Sequence, residues 1–376
     1  MDLFEPIIFL LLLAVLSVPI ANRFHLPFEI FLVAVSAIIS FMPWIPHIQI
    51  NPDMVFKLFL PPILFSTAYF ISWQDFKFNL RPITLNAFGL VIITTVAVAL
   101  LIKAIFSEIS WAEGFLLGAI LLPTDATAAI TIVKKLHSHR RILSILEGES
   151  LINDATALLL FRFSIAAIVS GTFSMSHMAS DFCTILIGGA ITGLATGFIA
   201  LCLLQYINNV LAETTFTFIT AFISYLIADQ FGFSRVISTV FCGVMIGRLL
   251  PGFASAQLMF LSRASWSIFL FIINCFVFIL IGLELPSVIK SLSYPLTYLI
   301  FYSAVVLLAI IGIRIVWIFG VAYIARKLIP SIIKKDPMPN WQLIFVVGWS
   351  GMRGVVSLAA ALAIPIQLAP GIPWQH

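Results

Sequence analysis

The sequence predicts an all-α polytopic membrane protein of about 12 transmembrane helices. Three observations carry that expectation. First, 61% of the 376 residues are hydrophobic and 10% are charged, whereas an ordinary soluble domain carries about 25% charged residues. Second, apolar runs of roughly 20 residues, the length that crosses a hydrocarbon core of about 30 Å, recur along the whole chain. Third, the basic residues sort into alternate loops between those runs. Spans fill nearly the entire length, which leaves no room for a soluble catalytic domain. The formal charge of +4 is too modest to signal a nucleic-acid partner.

In chain order the runs cover 3–22, 27–46, 53–72, 83–106, 113–133, 143–170, 182–207, 214–232, 234–250, 260–284, 296–325 and 341–366. The first lacks a basic leader and a small-residue cleavage site, so it reads as a span and not as a signal peptide. An outside N-terminus puts Arg23, Lys77, Arg81, Lys134, Lys135, Arg140, Arg141, Arg248, Arg263, Arg326, Lys327, Lys334 and Lys335 in cytoplasmic loops. Lys57, Lys103, Arg235 and Lys290 then lie outside, and Arg162, Arg314 and Arg353 fall within spans. That asymmetry is the positive-inside pattern. It predicts a multi-pass protein of the cell (plasma or inner) membrane. Cys183, Cys202, Cys242 and Cys275 lie in apolar runs without disulfide or zinc spacing.

The polar residues inside spans carry the chemistry. A carboxylate at the bilayer centre costs roughly 2.5–3.5 kcal/mol on insertion scales, and such residues usually face a partner or a water-filled path. The fifth span is interrupted by Pro123-Thr124-Asp125. Proline removes a backbone donor and breaks the helix, and the freed carbonyls beside a carboxylate suit a hard alkali cation. The sixth span holds Glu149, Ser150, Asn153 and Asp154. Ser150, Asn153 and Asp154 share one helix face, whereas Glu149 points about 140° away from Asp154. Glu149 needs a cationic partner of its own, and Arg314 is the first candidate, with Arg353 its rival. The twelfth span is loosened by Gly348, Gly351 and Gly354 around Arg353. Two broken spans, one in each half, predict inverted repeats whose broken helices cross, with Arg353 offsetting their carbonyl-rich ends. Arg162, Asp229 and Glu284 read as charges near the membrane edge.

With LPPILF (60–65), PTDATAA (123–129), GESLINDATALLLFRF (148–163) and GWSGMRGVVSLAAALAIP (348–365), the chain resembles the monovalent cation:proton antiporters of the bacterial NhaP and animal Na+/H+ exchanger type. The resemblance implies a single transporter domain. Core-like helices would cover about 83–170 and 296–366, moving against scaffold- or dimer-like helices at about 1–72 and 182–284. It implies a homodimer, no cofactor, and a Na+ site at Asp154, Asp125, Ser150 and Thr124 with Asn153 beside it. It also implies a structural ion pair of Glu149 with an arginine, Arg314 foremost. An Asn-Asp pair in place of Asp-Asp implies electroneutral exchange. Two departures stand out. Ser66 occupies a position where relatives carry an acid, and the chain stops before the family's last helix.

The expected function is therefore antiport of Na+ or Li+ against H+. Desolvation disfavours a charged carboxylate, so Asp154 is expected to hold either a proton or a partly dehydrated cation. The alternatives are a K+ or broad-specificity exchanger with the same chemistry, and an inactive truncated fragment. A channel would need a filter or a ring of like residues, and an intramembrane enzyme a catalytic motif; neither pattern occurs.

Overall fold

A computed structural model describes residues 4–24, 28–41, 52–125, 140–170, 175–291, 295–328, 341–349, 352–353, 355–362, 367–369 and 372–373. The helices are α1 (Phe4–Arg23), α2 (Phe28–Ile39), α3 (Pro52–Phe70), α4 (Trp73–Phe78), α5 (Leu80–Thr84), α6 (Val91–Ile105), α7 (Trp111–Leu121), α8 (Arg140–Ser170), α9 (Met175–Leu204), α10 (Val210–Gln230), α11 (Arg235–Leu249), α12 (Ala256–Ser291), α13 (Leu296–Leu328), α14 (Trp341–Trp349) and α15 (Val355–Leu362). A π-helical turn, Leu85–Leu90, joins α5 to α6 in one span. Strand is confined, among the described residues, to two-to-three-residue pairings: β1 (Thr124–Asp125) with β2 (Met352–Arg353), and β3 (Gln367–Ala369) with β4 (Ile372–Pro373).

Among the described residues seven helical stretches are long and apolar enough to cross a membrane, and Leu11–Arg23, Phe28–Ile39, Phe56–Phe70 and Trp111–Leu121 are shorter apolar helices. The all-helical membrane architecture thus agrees with the expectation, at the level of seven spans and four shorter apolar helices among the described residues. Helix ends follow local chemistry. Ser110 and Glu113 form a reciprocal capping box at the start of α7. Asn209 caps α10 and Ser234 caps α11. The turn between α10 and α11 passes through Gly232 at φ 71°, a conformation that a side chain disfavours. This turn separates the two spans near 230 that pattern alone delimits least sharply.

The main helix contacts fall within two sets. In one, α6, α7 and α8 pack together, with α13 lying on α6 and α14. In the other, α11 packs on α3, α9 and α10, while α12 packs on α2. Small residues permit the close approaches. A β-carbon at Gly247 would collide with the Tyr69 carbonyl, and one at Gly193 with the Ser238 carbonyl. Phe65 and Trp266 stack with centroids 5.4 Å apart in the second set and are fully buried. Leu308 and Val316 on α13 are exposed, as lipid-facing side chains would be.

Charged contacts bring together loop residues that the alternation assigns to the same side, with Arg162 of the sixth span joining one group. Asp229 Oδ1 lies 3.2 Å from Arg235 and 3.9 Å from Arg162, and its Oδ2 lies 3.9 Å from Lys57. At the opposite end, Arg141 donates to Asn79 at 3.0 Å, and the Arg248 guanidinium sits 5.2 Å from the Trp73 ring centre. No contact among these mixes the two sides.

Candidate functional site

The site is assembled where the two interrupted spans meet. Helix α7 ends at Leu121, just ahead of Pro123, and α14 ends at Trp349, just ahead of Gly351 and Gly354. Between these ends, Thr124 pairs with Arg353 and Asp125 with Met352 in antiparallel register. Two side chains complete the join. Asn153 of α8 donates to the Leu122 carbonyl at 3.1 Å, and Ser357 of α15 donates to the Pro123 carbonyl at 3.0 Å. Buried backbone groups must be paired, and here α8 and the other broken span together supply partners to the fifth span. The expectation of freed carbonyls is thereby narrowed: those of Leu122 and Pro123 already accept from protein donors.

Helix α8 crosses this join at its midpoint. Asp154 lies 14 residues from its first residue and 16 from its last. Asn153 is buried, while Ser150 and Asp154 are partly buried and engaged in contacts. The side chains of Thr124, Asp125 and Arg353 lie outside the described residues; only their backbone is placed. Ser66, the expected acid's replacement, is buried and donates to the Ile63 carbonyl of its own helix at 2.9 Å.

Glu149 faces the other way, as the helical geometry requires, and meets Arg314 of α13. Arg314 Nη2 is 2.6 Å from Glu149 Oε1, with the side chains 5% and 2% exposed. Arg314 is therefore within pairing distance of Glu149, whereas the side chain of the rival, Arg353, lies outside the described residues. Two further contacts were not foreseen. Asn86 of the π turn donates to Glu149 Oε2 at 3.1 Å, and Arg314 Nη2 lies 3.4 Å from the Val347 carbonyl of α14. Asn86 was legible as a lone asparagine in an apolar run; the Val347 carbonyl carries no sequence signal. A cavity of about 10 Å³, room for roughly one water, lies between the pair and Asn153, lined by Leu90, Val91, Thr94, Leu122, Asn153, Ile310 and Arg314. The arrangement provides a neutralised ion pair beside Asn153 and, about 140° around α8 from Glu149, a carboxylate at Asp154.

Comparisons with known proteins agree with this architecture. The chain is 31% identical over 390 residues to a sodium, potassium, lithium and rubidium/H+ antiporter of Bacillus pumilus, matching all of this chain and 57% of the relative. It is 30% identical to the low-affinity Na+/H+ antiporter NhaS1 of Synechocystis, over 94% of this chain and 65% of that one. It thus spans little more than half to two thirds of these relatives' length. The sodium proton antiporter MjNhaP1 of Methanocaldococcus jannaschii superposes with a TM-score of 0.71 at 19% identity, covering 96% of this chain and 87% of that one. This likeness shows the fold. The pattern of the family described as sodium/hydrogen exchanger, transmembrane, matches residues 7–373, and the chain belongs to that family of ion transporters.

Proposed function

We propose that the protein exchanges Na+ or Li+ for H+ across the cell membrane, one for one, by alternating access to a single site. The observation that carries this reading is the charge arrangement on α8. Glu149 is matched by Arg314 on one face, so the charge that changes during transport is assigned to Asp154 on the other. Asp154 holds either a proton or a cation, and both loaded forms are close to neutral, which lowers the cost of moving the site within a low-dielectric interior. Ser150, Asn153, Thr124 and Asp125 surround the cation, and Arg353 offsets the ends of the broken helices. The helices at about 83–170 and 296–366 form the moving core, and those at about 1–72 and 182–284 form a scaffold that pairs in a homodimer. The N-terminus lies outside.

The broader name of the Bacillus relative, which includes potassium and rubidium, supports a second reading with wider cation selectivity. One assay addresses both. In everted vesicles holding a pH gradient, Na+ or Li+ collapses the gradient with the wild-type chain, and Asp154→Asn abolishes the response. A gradient that still collapses in the variant would sink the assignment of Asp154. A response to K+ or Rb+ of similar size would replace the narrow selectivity with the broad one. Rates unchanged by a K+–valinomycin clamp support electroneutrality.

A further inference from the structure

We infer that Asn86 is a positioning residue for the Glu149–Arg314 pair, holding the carboxylate oxygen that the guanidinium leaves open. Asn86 is the second residue of the π turn Leu85–Leu90 and is 5% exposed. Its Nδ2 lies 3.1 Å from Glu149 Oε2, while Arg314 takes Oε1. An ionised carboxylate only accepts, so the amide nitrogen must be the group that faces it. The amide oxygen is then buried with no hydrogen-bond donor among the described residues. A side chain present only to fill space would carry no such polar atom. The bond to a charged group, stronger than a neutral one, is what offsets it.

The π turn supplies the geometry. Such turns widen the helix, shift its register and recur at functional positions. This one buries Asn86, Ala87 and Leu90. It is seated against α13 by Gly89, where a β-carbon would collide with the Trp317 ring. Trp317 and Arg314 are three residues apart and share a face of α13. The contact that seats the π turn therefore also fixes where Arg314 and Asn86 converge on Glu149. Through Arg314 the network continues to the Val347 carbonyl ahead of the β1–β2 join. It therefore ties the π turn, α8, α13 and α14 together one helical turn from Asn153. Loosening it would let α8 shift relative to Leu122 and so change how cations bind.

The inference rests on the antiport reading and is tested in the same vesicles with two substitutions. Asn86→Ala removes the donor and should raise the apparent KM for Na+ several-fold, with the worth of one hydrogen bond to a charged group, about tenfold, as the ceiling. Asn86→Asp keeps the shape and replaces the donor by a second carboxylate. Two carboxylates then face each other with acceptors only, so repulsion takes the place of the bond. Asn86→Asp should therefore raise the apparent KM more than Asn86→Ala does, although it is nearer to wild type in shape. An apparent KM that Asn86→Asp raises no more than Asn86→Ala, or an unchanged KM in Asn86→Ala, overturns the inference. If the single variants fail to accumulate in membranes, the swap Asn86→Asp with Glu149→Gln restores one amide and one carboxylate. It must then recover accumulation and exchange, and failure of the swap overturns the inference too. Loss of exchange in the wild-type chain itself would instead strike at the antiport reading.

Discussion

At the scale of single residues, the Glu149–Arg314 pair is the most heavily constrained feature. Both groups are almost fully buried, and removing one partner of such a pair leaves an uncompensated charge at a cost of about 3–5 kcal/mol. Arg314→Ala and Glu149→Ala should each lower the melting temperature in detergent by many degrees. Replacing both at once, with Glu149→Ala and Arg314→Ala, should cost less than the sum of the two single changes. Melting curves on the purified variants check this; an additive double loss would mean that the two side chains do not stabilise each other. The need for a partner was legible, because a buried acid on the far face of α8 demanded one. Arg314 was the first candidate there, but its contact with Glu149 was not legible, because both arginines lie in spans and one-dimensional pattern does not say which helix brings its arginine to α8.

At the scale of elements, the broken spans were visible as Pro123 and as the glycines around Arg353, since each disrupts helical hydrogen bonding. Their direct backbone pairing was not visible, because the partners are 227 residues apart in the Asp125–Met352 and 229 in the Thr124–Arg353 pairs. The π turn was equally hidden, as no residue in LNAFGL signals a change of helical repeat. Helix contacts give a sharper test of packing. Gly247→Ala places a methyl group against the Tyr69 carbonyl on α3, and overpacking of this kind costs about 1–3 kcal/mol. A β-carbon at Gly312 on α13 meets nothing within 4 Å. Gly312→Ala should be neutral or slightly stabilising, by the roughly 0.5–1 kcal/mol that alanine gains over glycine in a helix. Thermal melts of the two variants should move in opposite directions or differ clearly in size, and equal losses would count against the tight α3–α11 contact.

At the scale of the whole molecule, Asp229 gathers Lys57, Arg162 and Arg235 from α3, α8 and α11 at one end of the bundle. These side chains are part-exposed, so each pair contributes no more than about 1 kcal/mol. Asp229→Asn leaves the cations facing one another. The variant should melt modestly below wild type at low salt, and the gap should narrow at about 0.5 M salt, where repulsion is screened. A gap that ignores salt would remove the electrostatic explanation. The grouping also links helices that pack in separate sets, which a reading of Arg162 and Asp229 as charges near the membrane edge does not supply. Composition, span length and the alternation of basic loops determined by themselves that this is an all-helical membrane protein with polar sites on its fifth, sixth and twelfth spans, because water and lipid act on every residue according to its own polarity. Only the tertiary structure decided that Arg314 meets Glu149, that Asn86 completes the pair and that the two interrupted spans join backbone to backbone. Those choices depend on which helices lie side by side, and that is settled by packing between distant segments rather than by any residue's own preference.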